Sequence, residues 1–133
     1  MKPTVYLVGA GPGDPGLITV KAKKLIKSAD VIVYDYLSNP IFINESKQTC
    51  KLINAGKRLG FKAMTQTQIN KKLVSLAKSG FRTIVRLKGG DPLLFGRGGE
   101  EAEYLKKNKI KFEIVPGVTS AIAVPAYAGI PIT

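Results

Sequence analysis

A chain of 133 residues, 44% hydrophobic with a mean hydropathy of +0.05, is one domain by length. That length buries about two thirds of the unfolded surface, and no apolar run reaches the ~18 residues of a membrane span. With no histidine and one cysteine, Cys50, the sequence excludes an internal disulfide, fits a reducing cytosol, and leaves the usual nitrogen and sulfur metal site without ligands.

The net charge of +12 fits a Lys-rich solvated surface, or attraction to a polyanion such as nucleic acid or a small molecule with many carboxylates. Lys outweighs Arg, and the aromatic-basic interleaving of RNA binders is missing. Met1-Lys2-Pro3 leads straight into an apolar run, so no signal peptide is expected.

Apolar runs alternate with helical patterns, which predicts an α/β domain with an open parallel five-stranded sheet. Strand one is expected over Thr4–Val8. A helix over Leu17–Ser28 has Ile18, Ala22, Leu25, Ile26 and Ala29 on one face. Strand two is Val31–Tyr34, ended by Asp35, and strand three Lys51–Asn54. Thr65 with Gln68 reads as a capping box opening a helix that turns Ile69, Leu73, Leu76 and Ala77 inward and stops at Gly80. Strand four is Thr83–Leu87. The helix Glu100–Lys107 begins acidic and ends basic, as the helix dipole favours. Strand five is Phe112–Val115, and a small-residue helix, kinked by Pro125, follows over Thr119–Ala128.

Three Gly/Pro-rich loops follow strands one, four and five: Gly9-Ala10-Gly11-Pro12-Gly13-Asp14-Pro15-Gly16, Lys88-Gly89-Gly90-Asp91-Pro92 and Pro116-Gly117-Val118-Thr119-Ser120. All three should lie at the carboxyl edge of the sheet, where α/β proteins bind ligands. The first departs from a dinucleotide fingerprint because Pro12 offers no N–H and two prolines delay the helix. Gly56-Lys57-Arg58 lacks the spacing of a phosphate-binding Walker loop. At Gly89-Gly90 a flat ligand could lie on bare backbone, and Asp91 offers an acceptor-only carboxylate. Asp35 is either a carboxylate in the crevice or a strand-end acid turning through Ser38 and Asn39. Arg97, between two glycines, could clamp a carboxylate. Thr119 and Ser120 could cap the last helix or face a ligand.

The motifs Val8–Pro15, Ala29–Asp35, Gly56-Lys57-Arg58, Val85–Glu101, Val115–Ala121 and Ala128–Thr133 together resemble the N-terminal domain of the tetrapyrrole methylases over the whole chain. The run Arg86–Gly99 resembles most the branch acting on uroporphyrinogen III. The resemblance implies S-adenosylmethionine as cofactor, no metal, and C-methylation of a polycarboxylate tetrapyrrole to precorrin-2 on the way to sirohaem and cobalamin. It implies that Pro12, Gly89, Gly90, Asp91, Leu94, Thr119 and Ser120 line the cofactor site. By the same resemblance Asp35 accepts a proton and Lys57 donates one, although Leu59–Ala63 lacks the His common there. It further implies a second, C-terminal domain beyond residues 1–133, a homodimer, a cytoplasmic location, and an isolated first domain without activity. A methylase of a later precorrin, a non-catalytic or nucleotide-binding α/β module, and a basic nucleic-acid binder are the alternatives. Poor aromatic-basic patterning argues against the last.

Overall fold

Strands that are apolar on both faces need a layer of helices on each side, and the chain supplies both. The structure is a computed structural model describing residues 2–35, 39–57 and 59–133. Met1, Ser38 and Arg58, named above, lie outside those residues. Its strands are β1 (Thr4–Gly9), β2 (Val31–Tyr34), β3 (Lys51–Asn54), β4 (Thr83–Lys88) and β5 (Lys111–Val115). They form one parallel sheet in the order β3-β2-β4-β1-β5. This is the open parallel five-stranded α/β sheet expected from the sequence.

Strand alternation sorts the core into two layers. Val5, Leu7, Val31, Val33 and Ile84 face α3 (Gln66–Lys78) and α4 (Gly98–Lys107), which contribute Leu73, Leu76 and Leu105. Val8, Ile32, Val85 and Leu87 face α1 (Val20–Ser28) and α2 (Pro40–Asn44), which contribute Ala22, Ile26 and Phe42. Each wholly buried Leu, Ile or Phe contributes about 1.5–3 kcal/mol. The last helix, α5, spans Ser120–Tyr127.

Several boundaries differ from expectation for local reasons. The stretch expected to open the first helix is a 3-10 turn at Pro15–Leu17 capped by Asp14; α1 starts later because the Thr19 hydroxyl accepts from the Ala22 amide at 3.1 Å. Asn39 is a helix cap, not part of a simple turn. Its side chain accepts from the Ile41 amide at 3.1 Å, and Pro40 takes the first helical position of α2. The capping box at Thr65 and Gln68 is present, with both side-chain to backbone bonds. Helix α4 begins at Gly98, a turn's fraction before Glu100.

Candidate functional site

The strand order fixes where a ligand can sit. β1 lies next to β4, yet the chain leaves β1 toward α1 on one face and leaves β4 toward α4 on the other. Neighbouring strands whose connections diverge open a crevice at their carboxyl ends. Here the two loops also grip each other: Gly11 donates to the Gly90 carbonyl at 3.2 Å, and Gly90 donates to the Gly11 carbonyl at 2.7 Å. The loop after β5 joins them. A Cβ on Gly9 would stand 2.5 Å from the Gly90 oxygen and 2.8 Å from the Gly117 backbone, so the three loops can meet only as bare main chain. Gly90 itself sits at φ +62°, a conformation that favours glycine.

This meeting point floors a cleft of about 450 Å³. Pro12 and Gly11 come from the first loop; Gly89, Gly90, Asp91 and Leu94 from the second; Thr119 and Ser120 from the third. The structure therefore brings together all seven residues that the family resemblance implied for a cofactor. Phe95, also on the rim, is fully exposed and has a left-handed backbone (φ +54°).

Asp91 is more committed than the sequence suggested. One carboxylate oxygen accepts from the Leu93 amide at 2.9 Å and the other from the Gly117 amide at 3.0 Å. It ties the second loop to the third, and each oxygen keeps lone-pair capacity for a ligand. Thr119 caps α5 by accepting from the Ala121 amide at 3.2 Å, which leaves its hydroxyl proton free to donate. The first loop is pinned from both sides. Asn39 donates to the Gly13 carbonyl at 2.9 Å, and the Tyr127 hydroxyl donates to Asp14 at 2.6 Å. That bond holds the Asp14 carboxyl below the ordinary carboxylate range and the Tyr127 phenol above its usual value.

The residues marked for chemistry lie outside this cleft's lining. Asp35 directly follows β2, its side chain 25% exposed, with one oxygen 3.5 Å from an Arg86 guanidinium nitrogen. Exposed Lys57 lines a separate hollow with Gly60 and Phe61. Arg97 is not the free clamp its glycine neighbours suggested. It caps α4 with a left-handed backbone (φ +56°), and its guanidinium forks onto Glu100 at 3.1 and 2.8 Å. The Glu100 bond raises the Arg97 pKa and lowers that of Glu100.

A buried charged cluster behind Asp35 was not read from the sequence. Arg86, Lys88 and Glu101 are 3%, 4% and 0% exposed. Glu101 Oε1 accepts from Arg86 Nε at 3.2 Å, Lys88 Nζ at 3.0 Å and Gln66 Nε2 at 3.2 Å. Burial and the neighbouring Arg86 charge push the Lys88 amine down, and Glu101 opposes them. Two cations alternating in a strand buried on both faces were the available signal. Their common anion becomes visible only once α4 is laid on the sheet.

Comparison with known proteins places this architecture. Residues 4–133 match the family model of the tetrapyrrole (corrin/porphyrin) methylases. The chain belongs to the tetrapyrrole methylases. Among curated members, it is 60% identical over 129 residues to the S-adenosyl-L-methionine-dependent uroporphyrinogen III methyltransferase of Methanosarcina barkeri, covering 97% of this chain and 50% of that protein. Among solved structures, it superposes on uroporphyrin-III-C-methyltransferase of Thermus thermophilus with a TM-score of 0.87 and 42% identity, covering all of this chain and 55% of that one. The same Thermus enzyme complexed with S-adenosyl homocysteine gives a TM-score of 0.82 at 42% identity, covering 98% of this chain and 53% of that one. This tetrapyrrole methylase chain thus spans about half the length of several curated relatives it matches and about a quarter of others.

Proposed function

We propose that this chain is the cofactor-binding, N-terminal half of a methyltransferase that C-methylates uroporphyrinogen III with S-adenosylmethionine. The observation that carries the reading is the three-loop cleft: all seven expected cofactor residues meet at the divergence of β1 and β4. The cleft suits this cofactor better than a dinucleotide. Gly89 and Gly90 admit close approach, Asp91 and Thr119 offer an acceptor and a donor, and Pro12 lacks the N–H that a pyrophosphate would use. Bound there, S-adenosylmethionine supplies an electrophilic sulfonium methyl.

The chain's own residues do the rest. The loops orient cofactor and substrate, where most of the rate gain of a methyl transfer lies. Asp35 accepts the proton that the methylated ring system loses, and Lys57 serves as proton donor. Arg97, steadied by Glu100, meets substrate carboxylates. A net charge of +12 draws in a polycarboxylate substrate. A second half of the enzyme completes the cleft, as the roughly twofold length of several relatives supports, and the enzyme is a homodimer. We assign the enzyme to the cytoplasm; among the described residues no helix is long and apolar enough to cross a membrane.

The test is an assay of the full-length protein with both substrates. S-adenosylhomocysteine should appear only when uroporphyrinogen III is present. Release only with a later precorrin would move the protein to another branch of the family, and release with neither would overturn the reading.

A further inference from the structure

Charged groups are costly to bury, and a well-packed apolar layer at the same place is often no less stable. Between the sheet and α4 this chain nevertheless buries Arg86, Lys88 and Glu101, in a layer otherwise built from Val5, Leu7, Ile84 and Leu105. Fold stability is therefore a poor account of the cluster.

Its geometry gives a better one. Arg86 is gripped from behind. Its Nε donates to Glu101 Oε1 at 3.2 Å, and its Nη1 reaches the Val33 and Leu87 carbonyls at 3.4 and 3.3 Å. These contacts fix the guanidinium plane, a rigid fork that Lys could not reproduce. The remaining nitrogen, Nη2, faces Asp35 Oδ2 at 3.5 Å. The other oxygen, Asp35 Oδ1, is buried and has no hydrogen-bond partner among the described residues, and the same holds for Glu101 Oε2.

We propose that Arg86, anchored by Glu101, is a positioning residue: it holds one oxygen of Asp35 and so fixes the orientation in which this carboxylate takes the substrate's proton. The proposal rests on Asp35 being the proton acceptor. Lys88 shares Glu101 with Arg86 and balances the anion, so that Arg86 is not drawn wholly to Glu101. Glu101 sits in the first turn of α4, the same helix that Arg97 caps.

A double-substitution cycle in the full-length protein tests this, with turnover, KM and S-adenosylhomocysteine affinity measured for Asp35→Asn, Arg86→Met and the pair. Loss of a general base lowers turnover by roughly a hundredfold or more. Arg86→Met should lower it at least about tenfold with cofactor affinity unchanged, and the pair should be no slower than Asp35→Asn alone, because residues acting through one another are not additive. Arg86→Lys keeps the charge without the fork and should fall between Arg86→Met and the parent. If Arg86→Met does not fold, the cycle with Arg86→Lys decides. Losses that multiply would overturn the positioning role while leaving Asp35 as the acceptor. Near-normal turnover of Asp35→Asn would instead remove the acceptor reading itself.

Discussion

Two aspartates at strand ends have different partners, and the difference predicts different phenotypes. Asp91 lines the cleft and holds the Leu93 and Gly117 amides, so its loss frees the third loop from the second and, on the proposed function, removes a cofactor contact. Hydrogen bonds to a charged group are worth about 1.5–3 kcal/mol each, or roughly ten- to a hundredfold in affinity. Asp91→Ala in the full-length protein should weaken S-adenosylhomocysteine binding by that range, and Asp35→Ala should leave it nearly unchanged. Calorimetric titration of both variants checks this; equal losses would make Asp35 a cofactor ligand rather than a proton acceptor. The sequence marks the three loops of the cleft through adjacent glycines, a proline without an N–H and a carboxylate at a strand end, while the full set proposed for the cofactor comes from the family resemblance. It does not reveal that Asp91 spends both oxygens on backbone amides, or that Arg97 is met by Glu100, since those partners depend on loop conformations reached only after the strands are laid side by side.

At the scale of elements, β2 and β3 are legible to the residue because short apolar runs are cut by turn residues at both ends. The five-residue α2 is too short to show a helical period, and only its Asn39-Pro40 start marks it. The bond between β2 and β4 at their amino ends has its own signature in Asp30. Its carboxylate accepts from Lys47 at 2.7 Å and from the Thr83 and Arg82 amides at 2.9 and 3.1 Å. The Lys47 bond first, then the Thr83 amide, hold its pKa below the ordinary 3.8. A carboxyl depressed on folding stabilises the fold above its unfolded value, and that contribution drains away as the pH falls through the lower folded value. Asp30→Asn should therefore cost about 1 kcal/mol at neutral pH, a modest figure because the carboxylate is 31% exposed. The gap between variant and parent should stay constant down to about pH 5 and narrow below about pH 4. Urea titrations at pH 7, 5 and 3 measure it, and a gap still undiminished at pH 3 would assign the stabilisation to something other than the ionised carboxylate.

For the whole molecule, the two-layer core and the exposed surface point to different degrees of completeness. Both sheet faces are covered, with Leu7, Ile26, Ile32, Leu73 and Ile84 wholly buried, and from that core we expect this α/β unit to fold on its own. Beside the cleft, α5 and the segment after it are another matter. Ile122, Val124, Tyr127, Ile130 and Ile132 are each 59–65% exposed, and the helix is apolar around its circumference. A helix apolar on all sides is normally covered. On the proposed two-half architecture its cover is the second half, which also supplies the far wall of the cofactor cleft. The 133-residue chain by itself should then unfold cooperatively in urea, bind S-adenosylhomocysteine more weakly than the full-length protein, and give no turnover with uroporphyrinogen III. It should also bind a hydrophobic dye and self-associate with rising concentration, whereas the full-length protein should show little of either. Sedimentation at several concentrations, with parallel turnover assays, separates the cases. Turnover by the short chain comparable to that of the full-length protein would show that one wall of the cleft suffices and would end the two-half reading, however the apolar helix is covered.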